Sequence, residues 1–207
     1  MEALHGYTQM IKFEDYIYTN HHALPADVCE EIINRFEKDD RKTDGYIFRR
    51  GEKVVDKTLK DSKDLYITDL KEWKDIDEIL AKNVGENIQN YLDHCEKGFS
   101  TLEPIPNPFE GSNFRDVGYN VKSYNPGGLF NWHSDNTNEE RPRIFAMLYY
   151  LNDLVDDGGG CTEFADGTLV EPTVGKLVVF PALWTFIHRG CPPLKYKKYI
   201  ISTYIHQ

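Results

Sequence analysis

The sequence predicts a mainly β fold of the α+β class, a jelly roll supported on its outside by amino-terminal helices. From residue 113 onward, short apolar or alternating segments recur between turns rich in glycine and proline. Many short strands at such spacing are typical of a β-sandwich or barrel. Two earlier segments carry apolar residues at helical spacing, as expected for helices that cover one face of a sheet. We predict a single domain over residues 1–207, with residues 1–110 as helical support and residues 111–207 as the jelly-roll core.

The amino-terminal half begins with a strand signal, a helix signal and a long polar stretch. Residues 10–19 alternate like a strand, and a helix is predicted from Ala26 to Lys38 because apolar residues recur there at helical spacing. These apolar residues are Cys29, Ile32, Ile33 and Phe36. Residues 39–63 are polar and charged, which predicts a long, mobile loop with room for a short hairpin. Such loops often close over functional sites, although a solvated excursion fits the composition equally well.

A strand, a second helix and a loop complete this half. Residues 65–68 predict a short strand, and the spacing of apolar residues predicts a long helix over residues 74–96. Its apolar positions are Ile76, Ile79, Leu80, Val84, Ile88 and Tyr91. Residues 102–111 contain three prolines and predict a loop. Because no internal repeat or low-complexity tract interrupts the chain, no second domain is predicted.

The carboxyl-terminal half is predicted to consist of strands. His188 is expected to end a strand, and residues 189–193 to turn the chain in a hairpin that returns Lys198 to the side of His188. The glycines at 158–160 predict a tight turn and not a phosphate-binding loop, because no helix follows them. The predicted strands are residues 115–124, 143–151, 161–164 and 168–171, two strands between Lys176 and His188 with a break near Pro181, and residues 197–205.

Charge and composition exclude several classes of function. A net charge of −10 disfavours general nucleic-acid binding, which needs a basic surface. We expect no membrane partner, since the sequence has no apolar run of spanning length and no signal peptide at its start. The four cysteines form no Cys-x-x-Cys pair and are interpreted as reduced thiols, which favours a cytoplasmic location.

His133-Ser134-Asp135 and the distant His188 are the most informative set of residues. In an extended segment alternate side chains point to the same side, so His133 and Asp135 are neighbours on one face. Two imidazoles and one carboxylate on one face of a metal form the ligand set of non-haem Fe(II) oxygenases, which leaves the other face open. Lys198, ten positions after His188, could then hold the far carboxylate of a cosubstrate.

Each member of this set also has an ordinary interpretation. With 7 histidines and 34 acidic residues, one His-x-Asp arises readily by chance. His188 alone fits a core histidine with a satisfied hydrogen bond. Lys198 alone fits a solvated lysine on a basic strand that also carries Lys195 and Lys197. Zinc accepts the same ligands as iron. The combination, on the strands of a jelly roll, favours iron.

A series of motifs in residues 119–205 supports this interpretation. In chain order they are Tyr124-Asn-Pro-Gly-Gly, His133-Ser-Asp135, Arg143 before Met147-Leu-Tyr-Tyr-Leu-Asn152, Gly159-Gly-Cys-Thr-Glu-Phe164, Glu171-Pro-Thr-Val-Gly-Lys-Leu-Val-Val-Phe180, and His188-Arg-Gly-Cys-Pro-Pro followed by Lys198. This order resembles that of the Fe(II)- and 2-oxoglutarate-dependent oxygenases, and within them the prolyl 4-hydroxylases. The fold implied by the resemblance is the double-stranded β-helix, a form of jelly roll.

The resemblance also implies the residues of the site. Lys198 and Thr162 would bind the C5 carboxylate of 2-oxoglutarate, and Arg143 would lie near a peptide substrate. The implied residues are, for the metal, His133, Asp135 and His188; for the cosubstrate, Lys198, Thr162, Tyr124 and Tyr150; and for the substrate, Arg143 and Trp184.

The function implied by the resemblance is hydroxylation of a C–H bond, with Fe(II), 2-oxoglutarate and O2 taking part and ascorbate in a supporting role. The implied substrate is a proline-containing protein or peptide, and a free amino acid or other small molecule is the alternative. Nucleic-acid demethylation is disfavoured by the acidic charge and by a lysine where those enzymes resemble one another in using arginine. A non-enzymatic binding module is disfavoured because all three ligands and the lysine are present. The sequence carries no indication of oligomeric state.

Overall fold

The computed structural model describes residues 12–99, 109–136 and 143–207. The loop predicted over residues 102–111 lies largely outside the described residues. The strand predicted over residues 10–19 is wrong for most of its described length, because Phe13–Tyr16 forms a 3-10 helix and a strand begins only at Tyr18. The helices are α1, Ala26–Lys38, and α2, Lys74–Phe99. The strands are β1 Tyr18–Asn20, β2 Thr43–Asp44, β3 Ile47–Arg49, β4 Glu52–Val54, β5 Lys63–Tyr66, β6 Arg115–Asp116, β7 Asn120–Tyr124, β8 Phe130–His133, β9 Arg143–Tyr150, β10 Thr162–Phe164, β11 Leu169–Val170, β12 Leu177–Pro181, β13 His188–Gly190 and β14 Lys198–His206.

Both helices form where the apolar spacing predicts them. The bounds predicted for α1 are confirmed, and α2 ends three residues later than the predicted Glu96. In each helix the apolar residues recur every three or four positions, which places them on one face. The buried members of that face are Cys29, Ile32 and Phe36 in α1, and Ile76, Leu80, Val84, Ile88, Tyr91 and Cys95 in α2. Within the described residues, no helix combines the length and apolarity needed to span a bilayer.

Two antiparallel sheets form the jelly roll, which confirms the predicted fold class. The larger has eight strands in the order β1-β12-β9-β14-β7-β5-β2, with β6 beside β14. The smaller has the order β11-β10-β13-β8, and its β13–β8 pair aligns His188 with His133. Because β9 and β7 both pair with β14, β14 lies at the centre of the larger sheet.

The larger sheet has two buried faces. Its outer face packs against α1 and α2 through side chains such as Met147, Tyr149 and Ile201. Its inner face points toward the smaller sheet, where Leu148, Phe180 and Ile200 belong to a second apolar cluster. Strand alternation separates the two sets, because successive side chains point to opposite faces. The site lies on the inner side.

Residues 39–63 contain short paired strands and are therefore not a plain loop. They contain β2 and a hairpin of β3 and β4 joined at Arg50-Gly51, whose φ angles of 54° and 84° suit a two-residue hairpin turn. The hairpin was an expected feature of this segment, and its mobility stays a prediction. The strand predicted over residues 115–124 is split in two at Gly118, which has φ +80° and lies against the Tyr66 side chain.

Two details of the predicted strand order are wrong. The second strand expected before His188 is a turn, since β12 ends at Pro181 and the Phe186 amide donates to the Leu183 carbonyl, so His188 begins β13. Nor does a hairpin join His188 to Lys198. β13 belongs to the smaller sheet, whereas β14 belongs to the larger one. The chain crosses between sheets and still delivers both side chains to one cavity.

Candidate metal and cosubstrate site

Three side chains meet beside the paired strands β8 and β13 of the smaller sheet. His133 ends β8, Asp135 follows two residues later, and His188 begins β13 opposite His133. The His133 Nε2 atom lies 3.6 Å from Asp135 Oδ1, and the His188 Nε2 atom lies 3.5 Å from Asp135 Oδ2. The candidate ligand atoms of all three residues lie within 4.8 Å of one another. The structure therefore brings together the two histidines and the aspartate that the sequence predicts as metal ligands.

Backbone carbonyls orient both imidazoles. The Nδ1 atom of His133 is 2.7 Å from the Asn131 carbonyl, and the Nδ1 atom of His188 is 3.0 Å from the Phe186 carbonyl. Since a carbonyl only accepts, each Nδ1 must carry the proton, and a neutral ring then presents the Nε2 lone pair. Burial lowers the pKa of His188 to about 4, which keeps that ring neutral. Orientation of this kind is typical of histidines that bind metals.

Asp135 supplies the negative charge. It is 5% exposed, and the Tyr204 hydroxyl donates to its Oδ1 atom at 3.1 Å. Burial alone would raise the pKa of Asp135, but His188 and His133 nearby hold it well below its usual range. An ionised carboxylate faces two imidazole lone pairs, an arrangement of acceptors that a divalent cation stabilises.

Lys198 lies at the start of β14, opposite Tyr124 of β7. It is 3% exposed, and burial lowers its pKa to about 8. Its Nζ atom is 5.9 Å from the Tyr124 ring and 5.4 Å from the Tyr150 ring. Among the described residues, no carboxylate lies within 4.0 Å of it, so the ammonium group is buried without a counter-ion. Such a group is costly unless a ligand pairs with it.

A hydroxyl pair stands beside Lys198. The Tyr150 hydroxyl donates to Thr162 Oγ1 at 2.7 Å, which leaves the Thr162 hydroxyl hydrogen free to donate to a ligand. Thr162, Tyr124 and Lys198 line the same cavity as the three candidate metal ligands. Tyr150 contacts Thr162 and does not itself line the cavity.

The cavity adjoins a wider cleft of about 520 Å³. Arg143 lines this cleft, with its guanidinium carbon 3.8 Å from the centre of the Tyr204 ring. The structure does not bring Trp184 to the site. That side chain is 71% exposed on the turn after β12 and does not line the cleft, where Trp132 is found instead.

Sequence reasoning missed two residues of the inner face, Lys122 and Tyr204. Both point inward by the alternation of their strands, since Lys122 shares a face with Tyr124, and Tyr204 shares one with Lys198. A charged residue at an inward position of a strand is the signal that could have identified Lys122. Phe130 was also missed, and its ring stacks on His133 with the ring centres 3.5 Å apart.

Fold and site together define a metal-dependent oxygenase of the jelly-roll class. Residues 119–206 match the model of the 2OG-Fe(II) oxygenase superfamily. This match confirms, for that segment, the resemblance found in the sequence. No curated protein matches the chain.

Solved structures with the same fold include several prolyl hydroxylases. The viral collagen prolyl hydroxylase of Paramecium bursaria Chlorella virus-1, in complex with 2OG, has a TM-score of 0.63 at 17% identity, over 92% of this chain and 95% of that one. A prolyl-4-hydroxylase of Pseudomonas putida has a TM-score of 0.61 at 19% sequence identity, and the match covers 93% of each chain. A prolyl hydroxylase of Trichoplax adhaerens, in complex with a peptide of hypoxia inducible factor, has a TM-score of 0.69 at 17% sequence identity. The match covers 93% of this chain and 84% of that one. At these identities the likeness shows a shared fold.

The residues present fit Fe(II), 2-oxoglutarate and O2. Two imidazoles and a carboxylate on one side of a metal leave positions open for other ligands, as non-haem iron chemistry requires. The unpaired Lys198 and the free Thr162 hydroxyl suit the far carboxylate of a dicarboxylic acid. Zinc could use the same three ligands, but a zinc site alone gives no role to the buried and unpaired Lys198.

Proposed function

We propose that this protein is a dioxygenase dependent on Fe(II) and 2-oxoglutarate that hydroxylates a prolyl residue in a protein or peptide. One observation carries the proposal: a single cavity is lined by the three candidate metal ligands and by the unpaired Lys198. Neither a core histidine nor a solvated lysine accounts for this arrangement. We also propose a cytoplasmic location, which the four free thiols support.

The proposed roles follow from the contacts of the residues. When bound, the iron and its cosubstrates supply the oxidising chemistry, in which one oxygen atom of O2 enters the C–H bond and the other enters succinate as 2-oxoglutarate loses CO2. His133, Asp135 and His188 hold the metal, and the carbonyls that bind each Nδ1 keep the rings in place. Lys198 and Thr162 orient the dicarboxylate.

The walls of the cavity keep water from the reacting groups. Phe130 covers one side of the His133 ring, and Leu148 and Ile200 line the same cavity as the metal ligands and Lys198. Apolar walls strengthen the pairing of Lys198 with a carboxylate, because charges attract more strongly where water is excluded.

The cleft beside the metal ligands favours an extended substrate over a compact one. The hairpin of β3 and β4 contributes Phe48, which is 56% exposed, and Trp132 of β8 is 42% exposed on the same cleft. Tyr46 and Tyr66 also line it. Exposed aromatic side chains around a cleft are typical of surfaces that bind peptides, and aromatic rings pack well against proline.

A panel of proline-containing peptides tests the proposal. Purified protein with Fe(II), 2-oxoglutarate and O2 is expected to add one oxygen atom to a peptide, detected by mass spectrometry, with a matching amount of succinate. Fragmentation should place the oxygen on proline, and twins with alanine in place of proline should remain unmodified.

The matched control is Asp135→Asn, which keeps the side-chain volume and weakens metal binding. It should form no hydroxylated peptide. Oxygen transfer to free amino acids with none to any peptide would reject the peptide substrate. Turnover of 2-oxoglutarate that is the same in Asp135→Asn as in the wild type would reject the metal site.

A further inference from the structure

A second buried cation lies beside the metal ligands. Lys122 is in the middle of β7, two residues before Tyr124, and is 6% exposed. It lines both the cavity of the metal ligands and the wider substrate cleft. Lys198 lines the cavity but not the cleft. Lys122 is therefore at the boundary between cosubstrate and substrate.

No side chain of the described residues neutralises Lys122 at short range. Its acidic neighbours are Asp64 and Asp135, and neither lies within 4.0 Å of its Nζ atom. Asp64 is already bound by the Lys60 ammonium and by the Ser62 hydroxyl, each at 2.6 Å. Asp135 faces the histidines and accepts from Tyr204. Burial and the nearby Lys60 lower the pKa of Lys122 to about 8.

Three more polar atoms of the same cleft are buried without a hydrogen-bond partner. They are Asn120 Oδ1, Ser202 Oγ and Arg143 Nε. Asn120 and Ser202 are paired across β7 and β14, next to Lys122, and all four residues line the cleft. Buried polar groups are nearly always hydrogen-bonded, so a group of unpartnered ones lining a cleft is suited to binding a polar ligand.

The charge of this group identifies the ligand. Lys122 and Arg143 are cationic, and the Ser202 hydroxyl can donate a hydrogen bond, so most of the unpaired capacity consists of donors. Donors of this kind match a carboxylate, whose two oxygens accept several hydrogen bonds. The Asn120 amide can bind the same group or an adjacent N–H.

We infer that Lys122, with Arg143, Asn120 and Ser202, binds a carboxylate of the substrate close to the C–H bond that is hydroxylated. This inference rests on the proposed function and narrows its substrate class to prolyl residues with a nearby carboxylate. The carboxylate comes either from an acidic side chain next to the proline or from the free carboxyl group of a terminal proline.

A binding experiment without turnover tests the inference. The protein is loaded with Mn(II) in place of iron and with 2-oxoglutarate, and is titrated with two pairs of peptides. One pair has glutamate or glutamine beside the proline, and the other ends in proline as a free acid or as an amide. For one pair, the acid is expected to bind at least about tenfold more tightly, a typical effect of a buried charge pair. The pair that shows this preference identifies the source of the carboxylate.

Variants of Lys122 then test the residue itself. Lys122→Met should reduce the preference for the acid to about twofold or less, and Lys122→Arg should retain most of it. Because a methionine replaces an unpaired buried cation, the fold should tolerate the change. Lys176→Met is the matched control: Lys176 is also 6% exposed, but it donates to the Glu171 carbonyl and does not line the cleft. The Lys176→Met variant should show the same preference for the acid peptide as the wild type.

Two results would overturn the inference. One is equal binding of acid and amide in both pairs by the wild type. The other is a Lys122→Met variant that weakens 2-oxoglutarate binding while keeping the preference, since Lys122 would then serve the cosubstrate. Hydroxylation of neutral peptides without any acid preference would leave the proposed function standing and remove only this inference. A preference that Lys122→Met abolishes, in a protein that hydroxylates free amino acids alone, would keep the inference and reject the peptide substrate.

Discussion

Both faces of the larger sheet are buried and apolar, but the inner face also carries unpaired lysines. On β9, Met147 and Tyr149 point outward to the helices, and Leu148 points inward to the cavity. On β14, Ile201 is 0% exposed on the outer face, and Lys198 is 3% exposed on the inner one. The same strands thus carry an apolar core on one side and unpaired charge on the other.

The difference separates stability from function. Burial of the outer side chains stabilises the fold, because apolar surface leaves water. Burial of Lys198 and Lys122 without counter-ions costs free energy in the empty protein. A chain tolerates that cost where a ligand later provides the missing partner. Substitutions on the two faces should therefore affect different measurements.

The largest effect is expected from Asp135→Ala on the inner side. Loss of the only carboxylate among the three candidate ligands should reduce substrate-coupled 2-oxoglutarate turnover by about a thousandfold or more, equivalent to roughly 4 kcal/mol. The midpoint of urea unfolding of the metal-free protein should fall only modestly, because the change removes the hydrogen bond from Tyr204 but no large apolar side chain. A variant with full turnover would contradict this role.

Met147→Ala on the outer face should show the opposite behaviour. Met147 is fully buried, and its truncation should lower the free energy of unfolding by about 2–4 kcal/mol, measured by urea denaturation. The KM for 2-oxoglutarate should stay at the wild-type value. Leu148→Ala is the adjacent control, since it opens the cavity and should change that KM at a smaller cost in stability. Identical behaviour of the two variants would remove the contrast between the faces.

Lys198→Met should mainly affect the cosubstrate. Without the ammonium group, the KM for 2-oxoglutarate is expected to rise roughly a hundredfold, while kcat at saturation changes little. Steady-state kinetics measure both constants, and Lys198→Arg should be the milder variant. An unchanged KM would show that another cation, such as Lys122, binds the C5 carboxylate.

Tyr204→Phe removes the hydroxyl that donates to Asp135 and should weaken metal binding by about tenfold. Competition with a metal chelator measures this change. Tyr150→Phe is the matched control, since its hydroxyl contacts Thr162 and not a metal ligand. Equal metal affinity in both variants would show that the Tyr204 hydrogen bond does not tune the metal site.

The smallest expected effect is a pH dependence. The pKa of Lys198 is lowered to about 8, and only the protonated amine attracts a carboxylate. As pH rises through this value the charge is lost, so the KM for 2-oxoglutarate should rise roughly fourfold between pH 7 and 8.5. In Lys198→Arg the rise should be absent, and in Lys122→Met it should persist. A rise lost in Lys122→Met would assign the titration to that residue instead.

Local signals in the sequence were sufficient for much of the fold. The apolar spacing of α1 gave its bounds, and alternation located most strands, because each pattern reports which side of one element is buried. His133 and Asp135 could be paired for the same reason, as both lie in one extended segment. The turn at residues 182–187 was missed because its run of apolar residues resembles that of a buried strand.

What the sequence by itself determined is the set of ligand types and, along most strands, which residues share a face, since both are properties of a few neighbouring residues. Only the tertiary structure decided that β13 pairs with β8, that Lys198 reaches the site by crossing between sheets, and that Lys122 stands unpaired beside the metal ligands. These facts depend on which distant strands are neighbours. The periodicity of apolar residues along one strand does not indicate which strand lies beside it, because the register of a sheet is set by the packing of all its strands together.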